Sequence, residues 1–200
     1  MKYLAVYFAF FLLMTIFSCA EKKGKVQPEP AGASRHSTGF NRTVEQLLTH
    51  YFSLSEALVN WDTAAVAAHA GALKSSLDSF ALDELRPDSV MHARALEPLL
   101  NARVEMGSIV ADPSLDEKRA SFNLLSDNLR SFLSAIRFDS YSLYWQVCPM
   151  AFDDTRPGYW LSRVDSIRNP YLGTKHPKYG KGMLACGETQ EVLDFRATPK

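Results

Sequence analysis

Four sulfur-bearing side chains lie in two short segments near the C-terminus. The first segment is Cys148-Pro149-Met150 and the second is Met183-Leu184-Ala185-Cys186. Residues two apart share a face of an extended strand, and residues three apart share a face of a helical turn. If the intervening loop folds back, two thiols and two thioethers converge, with His176 as a further donor. Because soft sulfur ligands select Cu(I) and disfavour Mg²⁺ or Ca²⁺, the pattern indicates a copper site.

The same two cysteines have a second interpretation. The chain contains three cysteines, and Cys19 has a separate role described below. Cys148 and Cys186 are then an even pair, which outside the cytoplasm most often forms a structural disulfide. Closing a loop of this length, nearly forty residues, would stabilise the fold by about 3–4 kcal/mol in the chain-entropy model. Residue types and spacing therefore leave two interpretations open, a metal site or a disulfide.

Catalytic interpretations have little support in the residue pattern. Neither Cys148 nor Cys186 has a histidine beside it or the surroundings of a nucleophile. Gly180-Lys181-Gly182 is too short for a phosphate-binding loop, and Asp153-Asp154 is typical of solvated loop charges. We therefore predict a binding or structural protein and no enzyme.

The N-terminus has the pattern of a bacterial lipoprotein signal. One positive charge precedes the apolar run Leu4–Phe17, which is shorter than the roughly 20 residues that a membrane-spanning helix needs. The run ends in Ile16-Phe17-Ser18-Cys19, with a small residue directly before the cysteine. We predict a signal peptide over residues 1–18 and a lipid anchor to the membrane on Cys19. Ala20, rather than Asp, favours the outer membrane facing the periplasm.

Residues 19–40 are predicted to form a flexible tether that includes His36. The stretch is rich in Lys, Gly, Pro, Ser and Ala, and it has too little apolar surface to order itself. About 160 residues remain of the 200, which is enough for one domain with its own core. Positive and negative residues are balanced at 22 each. That balance gives no sign of the basic surface that nucleic-acid binding requires.

Four helices are predicted over residues 41–138 from apolar residues spaced three and four apart. The first is expected to begin at Thr43-Val44-Glu45-Gln46, which has the form of a capping box. Asp62 is a good N-cap for the second helix. A second capping box, Ser114-Leu115-Asp116-Glu117, predicts the start of the fourth. Short links between helices of similar length predict an antiparallel, up-down-up-down bundle.

The third helix is predicted from about Ser89 to Val110 and contains a proline. Pro98 removes a backbone amide, so the helix is expected to bend or split there. Seven residues are predicted to share its core face, namely Met91, Ala95, Leu99, Ala102, Met106, Ile109 and Val110.

The composition changes after Phe138, where aromatic residues are mixed with Pro and Gly. Tyr144–Cys148 is predicted as a short extended stretch, and the rest of residues 139–200 as irregular loops packed on the bundle. Irregular segments on a rigid scaffold are where binding sites tend to lie. The predicted fold class is mainly α, an antiparallel four-helix bundle with an irregular, aromatic-rich, Cys- and Met-containing C-terminal segment, together forming one domain.

Several motifs of this chain resemble those of one protein family. They are Gln146-Val147-Cys148-Pro149-Met150-Ala151, Gly158-Tyr159-Trp160-Leu161-Ser162, Ile167-Arg168-Asn169-Pro170-Tyr171-Leu172-Gly173, Met183-Leu184-Ala185-Cys186-Gly187 and, in the last helix, Arg119-Ala120-Ser121-Phe122-Asn123-Leu124-Leu125-Ser126. Over roughly residues 43–192 the chain resembles a domain of unknown function common in Bacteroidetes lipoproteins. The same domain is appended to periplasmic adaptor subunits of copper/silver-type heavy-metal efflux pumps.

The resemblance implies a role in Cu(I) or Ag(I) handling, with a heavy-metal efflux adaptor as partner. Carried over by position, the candidate ligands are Cys148, Met150, Met183 and Cys186. Many family members have His before the first cysteine, where this chain has Val147. Thr174–Gly182 resembles an insertion, and His176 within it is the candidate replacement for that imidazole. The alternative remains a plain disulfide between the two cysteines.

Overall fold

The structure is a computed structural model that describes residues 34–196. The predicted signal peptide, Cys19 and residues 20–33 of the tether therefore lie outside the described residues. Four α-helices are followed by a three-stranded antiparallel sheet. The elements are α1 (Thr38–Asn60), α2 (Thr63–Ser79), a 3₁₀ turn (Asp83–Leu85), α3 (Ser89–Ala111), α4 (Leu115–Ile136), β1 (Leu143–Phe152), β2 (Arg156–Ser162) and β3 (Glu188–Leu193). Within residues 34–196, no helix has the length and apolarity needed to cross a membrane.

The predicted starts of α2, α3 and α4 are confirmed, and the predicted start of α1 is wrong. Asp62 caps α2 and Ser114 caps α4, each accepting a hydrogen bond from the backbone amide three residues later. The first helix begins earlier than the Thr43 capping box, because Ser37 is its N-cap and accepts from the amide of Phe40. Phe40 is buried in the core, so the additional turn adds apolar contact that the capping pattern alone does not reveal.

The third helix runs through Pro98 as one uninterrupted element, so it is not split there, and the alternative of a bend at Pro98 stays a prediction. Packing of α3 against both α2 and α4 favours the continuous helix. Most of the predicted core face is confirmed, since Ala95, Leu99, Ala102, Met106 and Ile109 are buried and Met91 is partly buried. The prediction of a core position is wrong for Val110, which is 46% exposed. It lies about 100° around the helix from buried Ile109, as the helical repeat requires.

The helices pack in sequence order, α1 on α2, α2 on α3 and α3 on α4. Tyr51 joins α1 to α4, because its ring stacks on Phe122 at 5.1 Å between centroids. The Tyr51 hydroxyl also lies 2.7 Å from the Ser126 hydroxyl, in a fully buried pair. A single apolar core extends from these helices into the sheet.

The C-terminal segment contains more regular structure than predicted. In the sheet the strand order is β2-β1-β3, and β1 pairs antiparallel with both neighbours. The predicted extended stretch Tyr144–Cys148 is confirmed within β1, whereas the prediction of irregular loops is wrong for the rest of β1 and for β2 and β3. It holds for residues 163–187, which form turns and irregular backbone. β1 pairs with a strand more than forty residues later, and such distant pairing is not visible in local spacing.

Helical side chains cover the free edge of β2. The amide of Leu161 donates to the Tyr51 hydroxyl at 3.0 Å, and the amide of Tyr159 donates to Asn123 Oδ1 at 2.7 Å. An uncovered strand edge would leave such amides unpaired. These two bonds therefore fix the sheet against α1 and α4.

The predicted tether is wrong for residues 34–40, which belong to the folded domain. Ser34 Oγ and the Arg35 amide donate to the two carboxylate oxygens of Asp139, at 2.7 and 2.9 Å. The His36 side chain is 4% exposed, and its Nε2 lies 2.7 Å from the carbonyl oxygen of Ile136. These partners stand about a hundred residues away in sequence, so the composition of the segment gives no sign of them.

Candidate functional site: the Cys148 and Cys186 pair

The fold brings the two predicted cysteines into contact. Their Sγ atoms are 2.8 Å apart with no bond between them. Cys148 lies on the central strand β1 with 0% of its surface exposed, whereas Cys186 lies in the turn before β3 and is half-buried. The site therefore has one enclosed sulfur and one that reaches toward the surface.

Gly187 allows the turn that carries Cys186 to pass close to β1. A Cβ at this position would lie 2.4 Å from the carbonyl oxygen of Val147 and 3.1 Å from the Trp160 ring. The residue also has a φ of +140°, where side-chain-bearing residues are strained. Only glycine fits this approach without displacing the strand.

Asn169 also holds this turn, a role that the sequence did not predict. The residue is fully buried. Its Nδ2 donates to the Cys186 carbonyl oxygen at 3.0 Å, and its amide donates to the Leu184 carbonyl oxygen at 2.9 Å. Its Oδ1 accepts from the amides of Tyr171 and Leu172. An Asn-Pro dipeptide is typical of a turn, but the distant carbonyl partners depend on the folded chain.

A buried aromatic ring lies next to the strand partner of Cys148. Gly158 pairs with Cys148 in the sheet, and a Cβ at Gly158 would lie 2.7 Å from the ring of Tyr171. The Tyr171 hydroxyl donates to the Tyr159 carbonyl oxygen. Burial raises the pKa of Tyr171 well above its ordinary value, so the ring remains a neutral phenol beside the sulfur pair.

The electrostatic surroundings favour a protonated thiol at Cys186. Burial, and then hydrogen bonding and charge repulsion from Cys148, raise the pKa of the Cys186 thiol above its usual range. Metal ligation and thiol–disulfide exchange both require the thiolate. Metal binding and disulfide exchange at Cys186 must therefore first remove its thiol proton, which the raised pKa makes harder.

The two predicted thioether ligands are packing residues in the described structure. Met150 and Met183 are partly buried and lie against the apolar core. Met150 is two residues from Cys148, but the β1–β2 register shifts between Cys148 and Phe152. Methionine commonly fills such irregular gaps. Ligation by these thioethers stays a prediction.

His176 lies in a separate cluster. Its ring stacks on Tyr179 at 5.0 Å and meets Trp61 edge-on at 6.0 Å between centroids. Its Nδ1 accepts from the amide of Lys178 at 3.2 Å. Across residues 34–196, no group of three or more His, Cys, Asp or Glu side chains is placed to hold a metal ion. The structure therefore does not join His176 to the two thiols in such a group.

Cys186 opens onto a surface groove with a volume of about 470 Å³. We refer to it as the Cys186 groove. Its lining is mainly apolar and includes two polar residues of β3. The residues beside Cys186 and Gly187 in its lining are Val147, Pro149, Pro157, Tyr159, Glu188 and Gln190.

One comparison relates the chain to a known family. Residues 47–140 match the family model described as "Protein of unknown function (DUF3347)". The matched range extends from within α1 to just before β1, so it supports a domain of unknown function but does not include Cys148 or Cys186. Comparison with curated proteins and with solved structures gave no match.

Proposed function

We propose that this chain is a lipid-anchored envelope protein whose folded domain is an interaction module closed by a disulfide between Cys148 and Cys186. The 2.8 Å separation of the two Sγ atoms carries the proposal. Met150 and Met183 pack against the core. The short distance and the packed methionines favour a disulfide over a metal site.

The disulfide would fasten the irregular segment between β2 and β3 to the central strand. Its expected contribution to the free energy of unfolding is about 3–4 kcal/mol, because it restricts a long loop in the unfolded chain. The helices provide the scaffold, which we propose is an antiparallel four-helix bundle. The contacts of Tyr51 with Phe122 and Ser126 support this arrangement, since they join the first helix to the last.

The proposed location and partner come from the sequence. The lipoprotein pattern ending at Cys19 supports anchoring in the cell envelope, on the outer membrane facing the periplasm. The family resemblance supports docking on a heavy-metal efflux adaptor. We propose that the domain contributes to such an assembly as a binding partner.

The disulfide is tested on mature protein, lacking Cys19, that is exported to an oxidising compartment. We expect intact-mass measurement to show one disulfide, and reduction to lower the melting temperature by roughly 10 °C for a domain of this size. The Cys148→Ala/Cys186→Ala variant should melt at the reduced temperature with or without reductant. Two free thiols in the exported protein, with a melting temperature unaffected by reductant, would refute the proposal.

A second candidate function is binding of Cu(I) or Ag(I) by the reduced pair. Two observations favour it. The two cysteine sulfurs lie next to each other, and each cysteine has a methionine close by in sequence, Met150 two residues after Cys148 and Met183 three residues before Cys186. All four donors are soft, as Cu(I) requires. The resemblance to domains of copper/silver efflux adaptors also supports it.

Anaerobic titration of the reduced protein with Cu(I) against a chromophoric chelator tests this candidate. Stoichiometric binding that is weakened in Met150→Leu/Met183→Leu would establish a thioether-containing site. Leucine preserves the approximate volume of methionine, so this variant should keep its fold. Failure to compete with the chelator would exclude the metal function and leave the disulfide proposal standing.

A further inference from the structure

We infer that Cys186, and not Cys148, is the sulfur through which this pair exchanges with a thiol–disulfide oxidoreductase, whose reactive cysteine docks in the Cys186 groove. The inference deepens the proposed disulfide function and rests on it. It assigns both the reacting atom and the chemical class of the partner.

The different exposure of the two sulfurs carries the assignment. Exchange proceeds by direct attack of one sulfur on another, so the reacting sulfur must be reachable from outside. Cys148 has 0% exposed surface and lies on the central strand opposite Gly158, which itself packs against the ring of Tyr171. Cys186 is half-buried and lines the groove. An incoming sulfur therefore reaches Cys186 first.

The groove has the size and surface to receive a short segment of a partner. Pro149 and Pro157 contribute apolar surface from β1 and β2, and Tyr159 contributes an aromatic ring. Its volume of about 470 Å³ falls within the range of pockets that bind small molecules or single side-chain groups. A reactive cysteine carried on a partner's loop fits this space beside Cys186.

The exchange is balanced in two steps. Cys186 loses its proton to solvent, and its thiolate attacks one sulfur of the partner's disulfide, releasing the partner's second sulfur as a thiolate. Cys148 then loses its proton and attacks Cys186 Sγ from its position 2.8 Å away. The Cys148–Cys186 bond forms while the first partner sulfur leaves as a thiolate. Two thiols of this chain are oxidised, one partner disulfide is reduced, and reduction follows the reverse path.

The first test asks which of the two thiols reacts faster. It uses the reduced wild-type protein, because a variant could have a folding defect. A short pulse of N-ethylmaleimide, followed by digestion and mass mapping, should label Cys186 at least about tenfold faster than Cys148, because reactivity follows access. Denaturant should make the two rates similar. Labelling of Cys148 at an equal or higher rate in the folded protein would overturn the inference.

Single-cysteine variants test the exchange itself, with glutathione disulfide as the probe. Cys148→Ala should form a mixed disulfide at Cys186, and Cys186→Ala should form one at Cys148 at least about tenfold more slowly. Removing Cys148 also removes two of the causes that raise the pKa of Cys186, which further favours its reaction. Equal rates in the two folded variants would contradict the assignment.

The groove is tested with a matched pair of tryptophan variants on β3. Gln190→Trp fills the groove and should slow mixed-disulfide formation by about tenfold. Val192→Trp is the control, because Val192 is exposed on the same strand and does not line the groove. Equal rates in both variants would overturn groove docking.

The proposed function and this inference fail in different ways. If exported wild-type protein lacks the disulfide, the proposed function fails, while the relative labelling rates of Cys186 and Cys148 still decide which sulfur reacts.

Discussion

The helical part and the C-terminal part of this domain are held together in different ways. The helices are capped by neighbouring side chains such as Asp62 and Ser114 and bury stripes of apolar residues spaced as the helical repeat requires. The C-terminal part depends on bonds between residues distant in sequence. Buried Gln146, for example, donates through Nε2 to the carbonyl oxygens of Val164 and Asp165. A local disturbance should therefore be tolerated better by the helices than by the sheet and its turns.

Arg119 links the two regions from the first turns of α4. It is 2% exposed, and its Nε and Nη2 donate to the carbonyl oxygens of Pro170 and Leu58, each at 3.0 Å. Its guanidinium lies 3.9 Å from the centre of the Trp61 ring. Burial lowers the pKa of Arg119 to about 10, so the side chain keeps its charge at neutral pH.

The largest expected effect comes from breaking this link. Arg119→Met leaves two buried carbonyl oxygens without their charged donor, which should lower the free energy of unfolding by about 4 kcal/mol. Arg86→Met is the control, because Arg86 forms an exposed pair with Asp83 that should contribute less than about 1 kcal/mol. Urea denaturation measures both variants. Similar midpoints for the two would show that the regions do not depend on Arg119.

A smaller effect is expected from loosening the C-terminal part alone. Asn169→Ala removes three side-chain hydrogen bonds around the Cys186 turn, at a cost of about 3 kcal/mol. Asn128→Ala is the matched control, since its side chain makes one exposed bond to the Leu124 carbonyl oxygen. Amide hydrogen exchange should increase in residues 163–187 and remain unchanged in the helices. An equal increase of amide exchange in the helices and in residues 163–187 would contradict the idea that the helical part and the C-terminal part are stabilised separately.

A pair of glycine substitutions gives the smallest effects and opposite signs. Gly187→Ala places a Cβ against the Val147 carbonyl oxygen and should destabilise the domain by about 2 kcal/mol through strain and displacement. Gly71→Ala lies inside α2 with open space around the added Cβ, so it should stabilise by about 0.5–1 kcal/mol. Thermal melting measures both. Stabilisation by Gly187→Ala would show that the turn does not need its close approach to β1.

Local signals predicted much of the helical part correctly. Asp62 and Ser114 were identified as caps because a capping side chain and its amide partner are only three residues apart. The same approach placed the start of the first helix at Thr43 instead of Thr38, because Ser37, the cap that the structure uses, lies in a stretch whose composition predicts a tether. The order of that stretch depends on distant partners, the Asp139 carboxylate for Ser34 and the backbone carbonyl oxygen of Ile136 for His36. The tether prediction was wrong there because a distant contact decides the local structure.

The sequence by itself determined the residue types that are able to react, the helical stripes and the caps, since these depend on neighbours within one or two turns. Only the tertiary structure decided that Cys148 meets Cys186 and that His176 does not join them. The contact between the two cysteines depends on three features: the β1–β3 register, the close approach of Gly187 to Val147, and the hydrogen bond from Asn169 to the Cys186 carbonyl oxygen. The physical reason is that strand pairing and buried side-chain hydrogen bonds join residues far apart in the chain. Unlike helical spacing, such distant pairs leave no repeating pattern in the sequence.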